Sequence, residues 1–416
     1  MVKSKNINIF KFYIVFLFLL SSYYLSAVYL STVNNAMSEW VINYGGGFVR
    51  RGLVGEFIFQ ISSISNLNLR DCFLIFQILS YFFYYALIYW LLKDLKKSFL
   101  ICLAIFSPVF YSFGLYELEA LGRKEILMYV FFSYNFYLFY KYKNVNLNYL
   151  YTYLSLPVLI LTHEAVVFYF LFYLFFFFIV DKEKNWRFYL LFGILIFVVI
   201  FLSLLIFVNP HSDIDNSEMC KRLLTIANEH CGLGASFTTA SISRHINEVG
   251  WKLIDVKNYI LIFIFGFTSL FFLIYNSKLV LRNIFIKNNI FIPAILCSLP
   301  AMLLYLIAVD SGRWTSMLYH MIAITYFGLI KLKQVEVNEN FKFKFLNLEQ
   351  YKSRVIPYTV IFFLCFGWSP KAVYHESFGT FPAYRMIAKA HKFLPNFKQP
   401  NHFFNRIFLN NLMYNK

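Results

Sequence analysis

Long apolar runs separated by short polar breaks set the pattern of this chain. Runs close to the length that crosses a bilayer, about 20 residues, lie near 9–29, 72–92, 98–114, 126–140, 149–162, 165–180, 188–208, 259–275, 289–309, 315–331 and 355–369. The pattern predicts an all-α, polytopic helical integral membrane protein of about eleven transmembrane helices, the short ones tilted or enclosed by protein. A membrane β-barrel would alternate polar and apolar residues in segments of about ten, and these runs are continuous. The first run follows Lys3 and Lys5. It is longer than the core of a cleaved signal peptide and lacks a small-residue cleavage site, so it reads as an uncleaved span.

The polar breaks are of two kinds. Lys93–Lys97, Lys141–Lys143, Asp181–Arg187, Lys278–Lys287 and Lys331–Arg354 are basic and fall on every second connection. The excess of Lys and Arg on cytoplasmic loops therefore puts these and the N-terminus inside, and the C-terminus outside. The outward connections then hold Gly45–Glu56, Tyr116–Glu125, His163-Glu164, a large loop over 209–258, Asp310–Trp314 and a surface tail over 370–416. One transmembrane domain over 1–416 accommodates all of this.

Composition agrees. Charged residues make up 14% of the chain, where a soluble domain carries about 25%. The net charge of +17 fits basic loops against anionic headgroups and calls for no nucleic acid. Of six cysteines, Cys72, Cys102, Cys297 and Cys365 lie in apolar runs, and only Cys220 and Cys231 share a polar loop. No metal-ligand spacing and no nucleotide-binding fingerprint is present, so neither metal nor cofactor is expected.

Candidate chemistry collects on the outward connections. Gly45–Gly47, Arg50, Arg51, Gly52, Gly55 and Glu56 fall within twelve positions. A re-entrant or interfacial helix over 48–61 would put Arg51, Gly52, Gly55 and Glu56 opposite its apolar residues. Gly46 and Gly47 would let backbone N–H groups converge on an anion, and the two guanidinium forks suit a lipid diphosphate. The same residues also suit an interfacial helix with headgroup-seeking arginines and tightly packed glycines.

Glu119 and Arg123 have the spacing of a local helical ion pair, followed by Lys124. His163-Glu164 interrupts almost continuous apolar sequence, where ionisable residues are costly and usually functional; a tight turn between two spans is the alternative. Asp310 and Arg313 are three apart, and Trp314 suits either an interfacial belt or stacking on a sugar. His320 is either a packed polar residue or part of the site. Loop 209–258, with Arg222, Glu229, His230, Arg244 and His245, is long enough for a binding loop or lid. A Cys220–Cys231 disulfide could close it in an oxidising compartment.

In its spans, large outer loop and outward arginines and histidines, the chain resembles membrane proteins of bacterial surface-polysaccharide loci, especially Wzy-type O-antigen polymerases. Gly46-Gly47-Phe48-Val49-Arg50-Arg51-Gly52-Leu53 together with His163-Glu164 looks like a pattern of such proteins. The Arg-x10-Gly pattern of some polymerase loops is absent at Arg222 and Arg244. The chain is also similar to GT-C-type glycosyltransferases, which place an acid in the first outer loop; Glu39 and Glu56 are the candidates.

The resemblance implies an inner-membrane enzyme of O-antigen, lipopolysaccharide or capsule biosynthesis. It would move a glycan from an undecaprenyl-diphosphate carrier to a sugar hydroxyl on the outer face, alongside other polysaccharide-assembly membrane proteins. Arg50, Arg51, Arg123, Lys124 and Arg313 would hold the diphosphate. Glu164, with Glu56 or Asp310 behind it, would take the acceptor's proton, oriented by His163. The alternatives are a flippase or transporter of lipid-linked sugars, and an acyltransferase using His163 beside an acid.

Overall fold

Helix α1, Lys3–Tyr29, opens the chain and packs along α4, Leu69–Leu92. The computed structural model describes residues 3–29, 35–96, 98–208, 213–229, 231, 238, 253–280, 290–307, 310–337, 359, 363–368 and 370–371. Helix accounts for 77% of the structure and strand for 2%. By length and apolarity, three helices among the described residues can cross a membrane: Ile9–Ala27 of α1, α4, and α10 at Trp186–Val208. Their apolar exteriors, with Phe12, Phe16, Phe82, Phe83, Phe197 and Phe201 all exposed, give the molecule the surface of a membrane protein.

Between α1 and α4 lie α2, Asn35–Trp40, and α3, Gly52–Ser65. Asn68 then accepts the Arg70 N–H and starts α4. After α5, Phe99–Ile105, and the single turn α6, Phe113–Tyr116, come α7, Glu125–Tyr142, and α8, Val145–Thr162. Lys143 in the left-handed region (φ 51°) ends α7, and Asn144 accepts from the Asn146 and Leu147 N–H groups to begin α8. A two-residue reversal of this kind makes neighbours antiparallel, and α7 and α8 pack together. A 3-10 turn, Glu164–Tyr169, leads into α9, Phe170–Val180; α10 and α11, Asp213–Ala227, follow. The remaining helices are α12, Leu253–Tyr275, α13, Phe291–Ser298, the turn α14, Leu304–Ile307, and α15, Ser311–Lys331.

Helix α15 is the axis of the bundle. Every residue from Ser311 to Leu329 is buried, against α4, α7, α9 and α12, as expected of a helix that carries apolar residues on all sides. Gly328 lets it approach α7, because a Cβ there would meet the Phe136 ring at 2.4 Å. At the far end of α15, Lys331 pairs with Asp94 beyond the end of α4. Strands β1, Ser277–Leu279, and β2, Val335–Val337, pair antiparallel there, Lys278 opposite Glu336.

The helical class agrees with the sequence, but several elements differ. The run 98–114 is not one helix: α5 has 7 residues, about 10 Å at 1.5 Å per residue. Pro108 explains the break, since proline lacks the N–H to continue a helix and disfavours helical geometry just before it. The run 289–309 is likewise divided at Pro300, which opens a 3-10 turn between α13 and α14. The expected helix over 48–61 starts only at Gly52, so Val49, Arg50 and Arg51 lie on no helix face. Most of 355–369, nearly all of the 370–416 tail, and His230, Arg244 and His245 of the 209–258 loop lie outside the described residues.

Candidate functional site

Four connections meet at the end of the bundle where α3, α7 and α15 begin and α8 stops. In the first, Trp40 donates its indole N–H to the Gly122 carbonyl, tying α2 to the turn before α7 and setting Glu39 beside Arg123. Arg51 follows in the left-handed region (φ 67°, ψ 6°) with no side-chain cap. Gly55 allows the first turn of α3 to lie on the segment just after α2, because a Cβ there would sit 1.9 Å from the Ile42 carbonyl oxygen.

The second connection is a series of turns, not a helix, so Glu119 and Arg123 do not form the expected ion pair. Arg123 Nε donates to the Glu119 carbonyl at 2.9 Å, and its guanidinium pairs with Glu39. The next residue, Lys124, is buried and donates to the Arg51 carbonyl at 2.5 Å.

In the third connection α8 ends at Thr162 and His163 is extended. Its Nδ1 accepts the Ala165 N–H at 3.2 Å, which assigns the ring proton to Nε2. Nε2 lies 3.4 Å from Glu125 Oε1. His163 is thus turned to Glu125 and does not orient Glu164, because it serves as the N-cap of the 3-10 turn. Glu164 is held by Arg51, whose Nε lies 2.9 and 2.8 Å from its two oxygens and whose Nη2 lies 2.5 Å from Oε1. Arg50 stands 3.9 Å from the same carboxylate.

From the fourth connection Arg313 pairs with Asp310, as the spacing predicts, and with Glu125, and lies 3.9 Å from Glu39. Trp314 is buried in the main core and offers no open face to a sugar or an interface.

Arg50, Arg51, Arg123 and Arg313 therefore face Glu39, Glu125, Glu164 and Asp310 in one cluster. Burial opposes charging Glu39, but Arg123 and Arg313 hold its carboxyl below the ordinary range. Burial likewise opposes charging Glu164, and Arg51 overrides it, again to below the ordinary range. Lys124 behaves oppositely: burial lowers its amine to about 7, with Glu39 only partly compensating. Both oxygens of Glu164 are engaged, whereas Oε2 of Glu39 and of Glu125 accept no hydrogen bond among the described residues. Among those residues no three His, Cys, Asp or Glu side chains are grouped to hold a metal.

Beneath the cluster a cavity of about 40 Å³ is lined by Tyr81, Tyr84, Tyr129, Glu125, Arg313 and His320, among others. It suits a few waters and no sugar ring. His320 belongs to the core: Nε2 meets the Tyr84 hydroxyl at 2.6 Å, Nδ1 donates to the Ser316 carbonyl at 2.7 Å, and the ring stacks on Tyr129.

Glu56, Gly46 and Gly47 stand apart from this cluster. Glu56 accepts the Tyr44 N–H and both arms of Arg222 from α11. A Cβ on Gly46 would meet the Asp215 carbonyl oxygen at 1.9 Å, so α11 covers this loop. The glycine is there for close packing, and the N–H groups form no open anion nest with Arg51. Met219 of α11 fills a small core with Ile42 and Val49, and Cys220 and Cys231 form a disulfide beside it.

Glu125 is the site residue that the sequence did not single out, and Glu39 entered only through the resemblance, as one of two candidate acids. Glu39 was within reach as an acid in the first outward connection. Glu125 had a fainter signal, an acid at the mouth of a span directly after Arg123 and Lys124. No protein-family model, curated protein or solved structure matches the chain.

Proposed function

We propose that the chain is a polytopic inner-membrane glycosyltransferase that moves a glycan from a polyprenyl-diphosphate carrier to a sugar hydroxyl at the outer face. In this reading about eleven spans put the basic connections in the cytoplasm and α3 in the interface. Its main support is the partly buried cluster of four arginines and four carboxylates at one end of an apolar bundle, with Glu39, Glu125 and Arg313 at its buried centre. Guanidinium forks match phosphate as well as carboxylate, so a diphosphate can take over Arg50 and Arg51 and release Glu164. In the reaction the acceptor oxygen bonds to the anomeric carbon and the bond from that carbon to the diphosphate breaks. The carrier diphosphate leaves with the electron pair, stabilised by Arg51, Arg123 and Arg313, and the acceptor proton passes to a carboxylate. Glu39, whose buried Oε2 accepts no hydrogen bond among the described residues, is the first candidate for that base, and Glu164 the second once its arginine is occupied.

A flippase would need ionisable groups or broken helices near the midplane; the runs broken at Pro108 and Pro300 would serve it, but the charged side chains of the cluster gather at one end. An acyltransferase base would need a free imidazole lone pair, and His163 has committed Nδ1 to the Ala165 N–H. The test is glycan profiling in a deletion strain complemented with wild type, Arg51→Ala or Glu39→Gln. Loss of long surface glycan, with single units retained on the lipid carrier, is the expected result. Full-length glycan lacking only an acyl substituent would overturn the proposal.

A further inference from the structure

Lys124 is 1% exposed, and its one hydrogen bond among the described residues runs to a neutral acceptor, the Arg51 carbonyl. Beside it stand Glu39 from α2, Arg51 from the turn before α3, Glu164 after α8 and Glu125 from its own segment, and those carboxylates in turn carry Arg123, His163 and Arg313 of α15. The arginines and carboxylates of this cluster already balance four against four. A charged Lys124 would be a buried surplus, with no anion at ion-pairing distance among the described residues. Burying an uncompensated charge is costly, and an amine answers by giving up its proton.

An incoming diphosphate diester reverses that balance. Its two negative charges stay fixed across the neutral range, and in a poorly hydrated site they favour protonation of a nearby amine. We propose that Lys124 takes up a proton when a diphosphate binds, so that ligand binding itself completes the cationic side of the site. This rests on the diphosphate reading above. Arginine could not do the same, because a guanidinium keeps its proton in every state. The hydrogen bond to the Arg51 carbonyl persists in both forms of the amine, so the left-handed turn at Arg51 is held throughout.

The experiment is titration calorimetry of the full chain in detergent, in two buffers of different ionisation enthalpy. The probe is a short-chain isoprenyl diphosphate monosaccharide, whose diphosphate is a diester. Wild type is expected to take up close to one proton per ligand, about 0.8 to 1 near pH 8, with affinity weakening as pH rises from about 7 to 9. Lys124→Arg should bind with no uptake, and Lys124→Met should bind roughly tenfold more weakly with no uptake. Glu164→Gln should keep the uptake, which separates Lys124 from a released Glu164. Uptake that survives in Lys124→Arg, or disappears in Glu164→Gln, overturns the proposal, as does wild-type binding without uptake. Failure of wild type to bind the probe at all would instead overturn the diphosphate reading.

Discussion

Arg51 and Glu164 show how much the site depends on pairs that are distant in sequence. They are 113 positions apart, and each is only about one-fifth exposed, 21% and 22%. Arg51→Ala leaves a half-buried carboxylate without its fork and is expected to cost about 2–4 kcal/mol. Thermal unfolding in detergent measures this, and the Arg51→Ala/Glu164→Gln double variant should lose less than the sum of the singles. The acid limb of stability has a defined sign. Glu39 and Glu164 have folded pKa values below their unfolded ones. Their stabilisation is present above the ordinary carboxylate range and is lost as pH falls through the folded values. Glu164→Gln should therefore flatten the acid side of a pH–stability curve. Lys124 works on the alkaline side: its amine near 7 is depressed from 10.5, so stability rises as pH increases between those values. Lys124→Met should remove that rise. His163-Glu164 was legible because it breaks an apolar run, and Arg50-Arg51 because two charges follow a glycine run. The partners were not legible. Which carboxylate an arginine meets is decided by helix packing, and His163 turned to Glu125 because its other nitrogen caps a turn.

At the scale of elements, α11 is fastened over the first connection by Arg222 on Glu56, while Arg70 of α4 holds Glu229 just after it and the Cys220–Cys231 disulfide ties the helix to the residues that follow. Gly46 and Gly47 give contrasting expectations. Gly46→Ala would drive a Cβ into the Asp215 backbone, so α11 must shift, at about 1–3 kcal/mol. Limited trypsin digestion at Lys221 and Arg222 should become faster. Gly47→Ala meets open space but must hold φ 104°, which costs about 1–2 kcal/mol and should leave digestion unchanged. Equal digestion of both variants would count against α11 as a cover. The long apolar helices were legible from the apolar runs and the Cys220–Cys231 bond from the shared polar loop, whereas α11 lies in a polar stretch that read as loop. The breaks after α5 and α13 were less so, because Pro108 and Pro300 sit inside runs whose hydropathy gives no sign of interruption. The start of α3 was misplaced for a related reason. Periodicity reads side chains, and the left-handed turn at Arg51 is a backbone event.

For the whole molecule, the proposed topology puts the charged cluster and the Asp94–Lys331 end on opposite sides of the bilayer. Glu119 is exposed at the cluster end and Lys182 at the other. In intact cells, an impermeant thiol reagent should label Glu119→Cys and should reach Lys182→Cys only after permeabilisation. The reverse pattern would turn the molecule over and remove the outer-face chemistry.

The most direct measurement is transfer by the purified chain in nanodiscs, supplied with the lipid-linked oligosaccharide expected to accumulate in the deletion strain. Wild type should join units into longer glycan and release polyprenyl diphosphate, and Glu39→Gln should form no product while retaining its fold and its affinity for the donor. Intact donor after incubation with folded wild type that binds it, or undiminished transfer by Glu39→Gln, would contradict the assignment.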